Sequence, residues 1–296
     1  MSEQQPSSII SDLLHQARKS LNEAGIETAA LEARVLLCHV SQMTEAEVVA
    51  YPERTIDDAS RLRFLDLVDK RTKRIPLAHL LGVREFWGLE FSVNDQTLIP
   101  RPETEFAVEL AVDFARSIVQ KNGNVRVLDL GTGTGCLLIS ILHEVENANG
   151  VGVDINPKAV ELAKKNAKNL GVDARARFQC MNWGEELEET FDIIVSNPPY
   201  IQSGDLTGLM PEVSIYEPVQ ALDGGADGLD EYRKLIPQAR QLLNKHGLLI
   251  LEIGKEQAGG VLGLLGQHGF QPRESNHPVK HDLAGYDRII STVKVC

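Results

Sequence analysis

A short apolar strand pattern that runs straight into a glycine-rich loop limits the fold of this chain more than any other feature. Residues 125–130 (VRVLDL) read as a buried strand, residues 131–135 (GTGTG) follow at once, and an apolar helix pattern begins at Cys136. Glycines in such a turn let the backbone turn tightly and approach a ligand closely. We therefore expect an α/β protein with a ligand site beyond the end of this strand.

Helix and strand patterns alternate from Glu103 to the end of the chain. Such alternation indicates a mostly parallel sheet with helices on both faces. The predicted strands cover 125–130, 151–155, 176–180, 191–196, 248–253 and 288–295, and the predicted helices cover 103–120, 135–145, 157–170, 229–244 and 255–267.

Residues 1–84 have a different pattern, with helices only. Apolar residues recur at helical spacing from Ile9 to Leu21, Gly25 is a natural stop, and Thr44 with Glu47 predicts a capping box. The fourth and last predicted helix ends before Pro76. We expect an N-terminal helical domain at 1–84, a β-hairpin linker at 85–99 with Asn94-Asp95 as its turn, and the α/β domain at 100–296.

The composition is that of a soluble globular protein, and the charge argues against one class of function. The formal net charge is −12 and hydrophobic residues make up 43% of the chain, which is ordinary for a soluble globular protein. The acidic balance argues against tight nucleic-acid binding, although a local basic cluster remains open. That cluster comprises Lys70, Arg71, Lys73 and Arg74.

Targeting and metal-binding signals are weak. No apolar run approaches the roughly 20 residues that span a bilayer, and the first residues lack the pattern of a signal peptide. The eight histidines, His277 among them, show no metal spacing. The cysteines form no C-x-x-C pair, so we expect no metal. Because no export signal is seen, we expect reduced thiols and a cytoplasmic location. The cysteines are Cys38, Cys136, Cys180 and Cys296.

An acidic residue follows the glycine loop at a sequence separation typical of nucleotide-binding folds. Asp154 ends the next strand, 23 residues after Gly131, near the roughly 20 expected for a carboxylate that accepts ribose hydroxyls. The loop spacing is G-x-G-x-G, with Cys136 where a dinucleotide-binding loop has its third glycine, and no P-loop motif is present. A plain glycine turn with an incidental aspartate is the structural alternative. The pattern D-x-G-x-G-x-G resembles the S-adenosylmethionine site of class I methyltransferases.

The strand at 191–196 ends in Asn197-Pro198-Pro199-Tyr200, where ligands bind in open α/β sheets. The prolines stiffen the loop and remove backbone donors. The Asn197 side-chain oxygen and the Pro198 carbonyl can each accept an N–H, and Tyr200 offers a flat face. These parts suit a planar substrate with an –NH₂ group, whereas the structural alternative is a double-proline turn after a buried strand.

Further segments make a family resemblance specific. They are residues 98–105 (LIPRPETE), residues 76–82 (PLAHLLG), the tripeptide Glu85-Phe86-Trp87, and Glu217-Pro218. With Asn197-Pro198-Pro199-Tyr200 and the helical N-terminal region, the whole chain resembles the peptide chain release factor glutamine methyltransferases. The resemblance implies a Rossmann-like class I methyltransferase domain joined by the hairpin to an all-helical bundle. It also implies methyl transfer from S-adenosyl-L-methionine to the glutamine amide in the Gly-Gly-Gln motif of class I release factors, with S-adenosyl-L-homocysteine as product.

The same resemblance assigns roles to individual residues. Asp154 would bind the ribose hydroxyls, Trp183 would lie against the adenine, and Phe86 would help to wall the site. Asn197, Pro198 and Tyr200 would be catalytic, and the glutamine would bind to Asn197, Pro198, Pro199 and Tyr200. The remaining cofactor contacts would come from Asn197 and from Gly131, Thr132, Gly133, Thr134 and Gly135.

Two side chains near these motifs need comment. Asn182 stands where the family usually has an aspartate, and it still offers an acceptor to an adenine amino group. Arg101, between two prolines, is expected to fix its loop near the site by ion pairing.

Three other functions agree less well with the sequence than this resemblance does. An adenine-specific DNA methyltransferase shares Asn-Pro-Pro-Tyr, but such an enzyme flips a base and usually carries a basic recognition region. A non-catalytic binding module would not need both intact motifs, and a nicotinamide oxidoreductase would need a different glycine spacing. We expect release factors as partners, docking on residues 1–84, and neither membrane association nor stable DNA binding.

Overall fold

The computed structural model describes residues 8–273 and 279–295, so Cys296 and His277 lie outside the described residues. The chain divides into two compact units. The first comprises Met1–Gly82 with Met210–Tyr216, and the second comprises Val83–Leu209 with Glu217–Cys296. Within the two described ranges, no helix is long and apolar enough to cross a membrane.

Helices form the regular secondary structure of the first unit in its described residues, as the apolar periodicity predicts. The buried face of the first helix carries Ile10, Leu13, Ala17 and Leu21. The predicted capping box is confirmed, because Thr44 and Glu47 each accept the other's backbone N–H. One short helix was not predicted, since Pro76 marks a stop in sequence but here stands at a helix N-cap. The helices of this stretch are α1 (Ile10–Glu23), α2 (Ala29–Ser41), α3 (Glu45–Ala50), α4 (Asp58–Thr72) and α5 (Leu77–Leu81).

A buried ion network ties the segment Met210–Tyr216 into this unit. Arg71 bonds Glu32 at 2.6 Å and Glu212 at 2.9 Å, and Arg74 bonds the other Glu212 oxygen at 2.7 Å. The hydroxyl of Tyr216 also donates to the Lys73 carbonyl at 2.7 Å. This distant segment, which includes α9 (Pro211–Ser214), thus has specific partners around the end of α4.

The basic cluster at the end of α4 is neutralised by these and neighbouring pairs. Lys70 pairs with Asp66 at 2.8 Å and Lys73 with Asp69 at 2.7 Å, while Arg71 and Arg74 are held by carboxylates as above. Every cation of the cluster therefore has an acidic partner within the unit. A patch paired in this way offers little net positive charge to a phosphate backbone.

The buried network makes a stability prediction. Replacing Glu32 with alanine is expected to lower the free energy of unfolding by about 3 kcal/mol, because it leaves part of the buried Arg71 guanidinium unpaired. The matched control is Asp66→Ala, which breaks an exposed pair and should cost less than about 1 kcal/mol. Urea denaturation of both variants measures the difference, and equal losses would contradict this role for the network.

The second unit begins with a hairpin of β1 (Val83–Phe86) and β2 (Leu89–Ser92). The prediction of its turn at Asn94-Asp95 is wrong. Phe86 pairs with Leu89, so the turn is Trp87-Gly88, both with positive φ (56° and 69°). Trp87 tolerates that conformation because its backbone N–H donates to Glu105 and its indole N–H to Glu144. Asn94 instead caps a local turn by accepting the Gln96 N–H.

An eight-stranded sheet follows, with the order β5-β4-β3-β6-β7-β10-β8 and β9 paired to β10. The first five strands in that order are parallel, and β10 runs antiparallel to β7, β8 and β9. The strands are β3 (Val125–Leu130), β4 (Ala148–Asp154), β5 (Ala176–Cys180), β6 (Phe191–Ser196), β7 (Leu243–Glu252), β8 (Phe270–Pro272), β9 (Val279–His281) and β10 (Asp287–Lys294).

Helices cover both faces of this sheet, as predicted. Successive residues of β3 face opposite sides: Val127 packs in a core with helices α6 to α8, and Leu128 in a core with α10 and α11. These helices are α6 (Glu105–Asn122), α7 (Cys136–Glu144), α8 (Pro157–Asn169), α10 (Asp230–Leu242) and α11 (Ala258–Gln267). The strand order reverses at β3, between β4 and β6, which is where open sheets of this kind bind ligands.

Candidate active site

A cleft of about 750 Å³ opens in the second unit at the carboxyl ends of β3, β4 and β6. The sequence-predicted residues that line it are Gly131, Thr132, Gly133, Thr134, Asp154, Trp183, Asn197 and Pro199. Gly135, Pro198, Tyr200 and Phe86 are not among the residues that line this cleft. Gln96, Thr97, Arg101, Thr104, Asn182, Val219 and Glu231 line it as well.

The glycine loop takes a conformation that few other residues adopt. Gly131, Gly133 and Gly135 all have positive φ, at 75°, 54° and 83°. The N–H groups of Gly131 and Thr132 both donate to the Val153 carbonyl, at 2.9 and 2.8 Å. The loop is therefore bonded to the end of β4, and its backbone forms one wall of the cleft.

Gly135 serves packing of the helix behind the loop. It stands at the N-cap of α7, where an added Cβ would lie 2.8 Å from the Ile139 side chain and 3.2 Å from Ala163. Only glycine fits between α7 and α8 at this point. The close packing explains a third glycine at this spacing without a ligand contact.

Asp154 closes the side of the cleft next to the loop. Its two carboxylate oxygens accept the N–H groups of Gly133 and Asn156, both at 2.9 Å. Burial raises the pKa of Asp154, and these two hydrogen bonds oppose the rise. Each oxygen keeps a lone pair for a further donor, so this carboxylate can accept hydroxyls of a ligand in the cleft.

Asp129 lies beneath the loop and is fully buried. The Thr132 hydroxyl donates to its carboxylate at 2.6 Å, which holds the loop onto β3. Burial raises the pKa of Asp129 to about 7, and the charge of Asp154 adds to the rise, whereas the Thr132 bond opposes it.

The raised pKa of Asp129 predicts a pH-dependent stability. The folded pKa lies above the ordinary value of 3.8, so the folded state binds this proton more tightly. The contribution is fully present below pH 3.8 and is lost as the pH rises through about 7. In Asp129→Asn, the free energy of unfolding relative to the parent should therefore rise across this window, by on the order of 4 kcal/mol. Urea titrations at several pH values measure it, and a constant difference would contradict the buried acid.

Trp183 and Asn182 form the end of the cleft beyond β5. Trp183 has a φ of 50°, its indole N–H donates to Glu231 at 3.1 Å, and its ring lies against Gly131. The amide nitrogen of Asn182 donates to Glu185 at 2.6 Å. The indole is thus fixed at both edges, and the Asn182 oxygen is the acceptor that this residue can present to a ligand.

Asn197 begins the loop after β6, and its amide nitrogen lies 3.3 Å from the Thr104 hydroxyl. Pro198 is buried, and the Tyr200 carbonyl accepts the Gln257 side-chain N–H at 2.8 Å. The Tyr200 hydroxyl lies 3.5 Å from Glu252. Phe86 lies elsewhere, in the core, edge-to-face with Phe91 at 6.1 Å between ring centroids.

Two carboxylates, those of Glu217 and Glu252, support the site. No role for either of them was predicted from the sequence. The buried Glu217 accepts from Arg101 at 2.6 Å and from the Ile99 N–H at 3.4 Å, which confirms that Arg101 fixes its loop by ion pairing. Burial raises the pKa of Glu217, and Arg101 opposes the rise. The motif Glu217-Pro218 was the sequence signal for the first pair, whereas Glu252 sits in an apolar strand with no such signal.

Metal-binding side chains are not clustered in the part of the chain that the structure covers. No group of three or more His, Cys, Asp or Glu residues there is arranged to hold an ion. Cys38, Cys136 and Cys180 are free, and burial raises the pKa of the Cys136 thiol to about 12.

Solved structures resemble the fold at low sequence identity. The catalytic domain of hMettl16, in complex with a MAT2A 3′UTR hairpin, matches with a TM-score of 0.55 and 14% identity, over 82% of this chain and 87% of that one. A methyltransferase from Pyrococcus furiosus matches with a TM-score of 0.50 and 17% identity, over 81% and 100%. These likenesses confirm the class I methyltransferase fold.

Sequence comparison is more specific. Residues 12–82 match the PrmC N-terminal domain family, and residues 121–258 match a methyltransferase domain family. A release factor glutamine methyltransferase from Rhodospirillum rubrum is 39% identical over 95% of this chain and 84% of its own length. The enzyme of that name from Agrobacterium fabrum is 38% identical over 95% and 96%. The chain belongs to the release factor glutamine methyltransferase family.

Proposed function

We propose that this chain transfers a methyl group from S-adenosyl-L-methionine to the side-chain amide nitrogen of a glutamine in class I peptide chain release factors. The observation that carries the proposal is the cleft, where the amide of Asn197 meets the glycine loop and Asp154. The names of the relatives point to the same reaction. The glutamine is that of the Gly-Gly-Gln motif, as the family resemblance implies.

The cleft suits S-adenosyl-L-methionine in size and chemistry. Its volume of about 750 Å³ fits a ligand of this class. Gly131 and Gly133 let the backbone approach the methionine and ribose, Asp154 accepts the ribose hydroxyls, and Trp183 supports the adenine. When bound, this cofactor supplies a methyl group on a sulfonium, which is a strong electrophile. The reaction leaves S-adenosyl-L-homocysteine and involves no metal.

Asn197 and Pro198 act on the substrate amide. The Asn197 side-chain oxygen accepts one N–H of the glutamine and the Pro198 carbonyl accepts the other, which holds the nitrogen lone pair toward the methyl group. The amide nitrogen is a poor nucleophile, so orientation and polarisation supply most of the acceleration. As the new C–N bond forms and the bond between the methyl group and sulfur breaks, the nitrogen becomes much more acidic and loses one proton to solvent. Pro199 lines the cleft beside Asn197. Tyr200 ends the loop, where its carbonyl accepts the Gln257 side-chain N–H.

The helical first unit serves as the docking surface for the protein substrate. The cleft is lined by residues of the second unit, so the first unit is free for another role. Its segment Met210–Tyr216 exposes two large apolar side chains, Met210 at 63% and Ile215 at 67%. Exposed apolar groups of this size suit a protein partner.

Docking is tested on surface variants of the whole chain. Deleting residues 1–84 would also remove Arg71 and Arg74, the partners of Glu212. The double variant Met210→Asp with Ile215→Asp is therefore preferred, and its KM for release factor should rise about tenfold because two interface anchors are lost. Cofactor affinity should not change. The control is Leu283→Asp, a fully exposed residue of the second unit, and an equal KM in both variants would contradict docking here.

The proposed setting is the cytoplasm, where release factors act. No observation favours the DNA methyltransferase alternative: the chain carries a net charge of −12, and its basic cluster is paired with acids. We expect neither membrane association nor stable DNA binding.

A substrate panel tests the reaction. Labelled S-adenosyl-L-methionine is offered with purified release factor, with the same factor carrying alanine for the glutamine of its Gly-Gly-Gln motif, and with adenine-containing duplex DNA. Label on the intact factor alone is the expected result. Label on DNA, or equal label on the altered factor, would overturn the substrate assignment.

A further inference from the structure

Behind Asn197 lies a short chain of buried polar side chains that the reaction above does not use. The Asn197 amide nitrogen lies 3.3 Å from the Thr104 hydroxyl, which lies 2.6 Å from the Glu252 carboxylate. Thr104 and Glu252 are each only 2% exposed. Thr104 ends the short 3₁₀ turn Pro102–Thr104, and Glu252 is the last residue of β7, the neighbour of β6 in the sheet.

The direction of these hydrogen bonds is set by the number of protons available. A hydroxyl has one hydrogen, and the 2.6 Å contact with a carboxylate is a bond in which Thr104 donates. The Thr104 oxygen can then only accept, and the group that donates to it must be the Asn197 –NH₂. The Asn197 oxygen consequently points away from Thr104. Asn197 and Thr104 both line the cleft, whereas Glu252 does not.

We propose that Thr104 and Glu252 are positioning residues, which hold the Asn197 amide with its oxygen toward the substrate glutamine. The inference rests on the proposed function, because that function makes Asn197 the acceptor of the substrate N–H. An asparagine amide has nearly the same shape in its two orientations, so packing alone does not select one. The Glu252 carboxylate selects the orientation of the Asn197 amide through the Thr104 hydroxyl. With the amide reversed, –NH₂ would face –NH₂ and the substrate would lose its acceptor.

The chain of hydrogen bonds from Glu252 through Thr104 to Asn197 is called the relay here. The relay depends on the ionisation of Glu252, since only a carboxylate forces Thr104 to donate to it. A protonated Glu252 can donate to Thr104, which frees the hydroxyl hydrogen for the Asn197 oxygen and favours the reversed amide. Burial raises the pKa of Glu252 to about 7, so this change falls near neutral pH.

Several ionisable groups from other elements face Glu252. Arg288 on β10 favours the charged carboxylate and Glu103 on the 3₁₀ turn disfavours it. Cys136, Tyr200 and Tyr232 stay uncharged near neutral pH because burial raises the pKa of each side chain. The Tyr232 hydroxyl donates to the Glu252 carbonyl at 2.7 Å and so anchors the backbone without competing for the carboxylate. The groups that face Glu252 are thus Glu103, Cys136, Tyr200, Tyr232 and Arg288.

Variants of the full chain test the relay. Thr104→Val keeps the shape of the side chain and removes the hydroxyl, and Glu252→Gln keeps the shape and removes the charge. In both we expect kcat to fall on the order of 100-fold, with cofactor affinity within about twofold, because a misplaced group costs rate more than binding. Thr104→Ser restores the hydroxyl and should recover kcat to within about threefold. The matched control is Thr292→Val, a buried threonine outside the cleft whose hydroxyl has no hydrogen-bond partner among the residues that the structure describes.

The pH profile separates positioning from a merely structural role. In the parent, kcat should rise with pH as Glu252 ionises near 7 and level off above it. That ionisation should be absent from the profiles of Glu252→Gln and Thr104→Val. Full kcat in Thr104→Val, or an unchanged ionisation in Glu252→Gln, would overturn the relay. If Glu252→Gln fails to fold, the Thr104→Val and Thr104→Ser pair decides by the same criteria.

Asn197→Ala in the same assay separates this inference from the proposed function. An inactive Asn197→Ala together with fully active Thr104→Val and Glu252→Gln would remove the relay and leave the proposed site intact. An active Asn197→Ala would instead remove the acceptor role of Asn197, and the relay with it.

Discussion

Replacing Asn197 with alanine is expected to lower kcat for release factor methylation by about 10²- to 10³-fold, the effect of removing a group that stabilises developing charge. The side-chain oxygen of Asn197 is the acceptor proposed for one substrate N–H, and nothing else in the loop replaces it. Cofactor affinity should fall at most about fivefold, as for one hydrogen bond. Single-turnover methyl transfer and cofactor titration measure the two quantities separately.

The control for this variant is Asn149→Ala, an exposed asparagine on β4 that does not line the cleft. It should leave kcat and cofactor affinity unchanged. An Asn197→Ala enzyme that keeps a kcat within threefold of the parent would contradict the proposed role of the loop. A large loss of cofactor affinity at unchanged kcat would make Asn197 a cofactor ligand only.

Adding a single methyl group at Gly133 should weaken S-adenosyl-L-methionine binding by about 10- to 100-fold, the usual range for crowding a packed site. The protein itself leaves room, since the nearest atom to the added Cβ in Gly133→Ala would be Thr97 Cβ at 4.0 Å. Both residues line the cleft, so the methyl group would occupy space that the cofactor needs. Calorimetric titration gives the affinity.

Backbone strain is separated from crowding by Gly171→Ala. Gly171 closes the end of α8 with a φ of 71°, comparable to that of Gly133, and an added Cβ there has no described atom within 4 Å. Both variants should lose about 1 kcal/mol of stability from the left-handed conformation. Only Gly133→Ala should lose cofactor affinity, and equal losses of affinity would contradict the assigned wall of the cleft.

The centre of the sheet was predictable because its strands are short apolar runs bounded by turn signals. β3, β5 and β6 have the predicted bounds. β7 begins earlier than predicted, at Leu243, because the helix predicted at 229–244 covers its first two residues and the polar Lys245 and His246 interrupt the apolar strand pattern. The hairpin turn was mistaken because the Asn94-Asp95 signal is strong, whereas Trp87-Gly88 takes its conformation from Glu105, a residue distant in sequence.

The sequence predicted only those parts of the candidate site that a local motif encodes. The glycine loop and Asp154 meet because parallel neighbouring strands must end at the same edge. The supporting pairs join residues that are far apart in sequence. The separation is 116 residues for Arg101 with Glu217 and 148 residues for Thr104 with Glu252. No local pattern encodes the partner of such a group. Phe86 shows the converse, since a residue within a family motif lies in the core.

The chemical position of the transferred methyl group tests the central claim most directly. Release factor is methylated with label in the methyl group, the Gly-Gly-Gln peptide is isolated, and the peptide is hydrolysed in acid. Methylation of the amide nitrogen predicts that the label leaves as methylamine while the residue becomes unlabelled glutamate. Label that stays on an amino acid, or label found in another peptide, would contradict glutamine amide methylation by this chain.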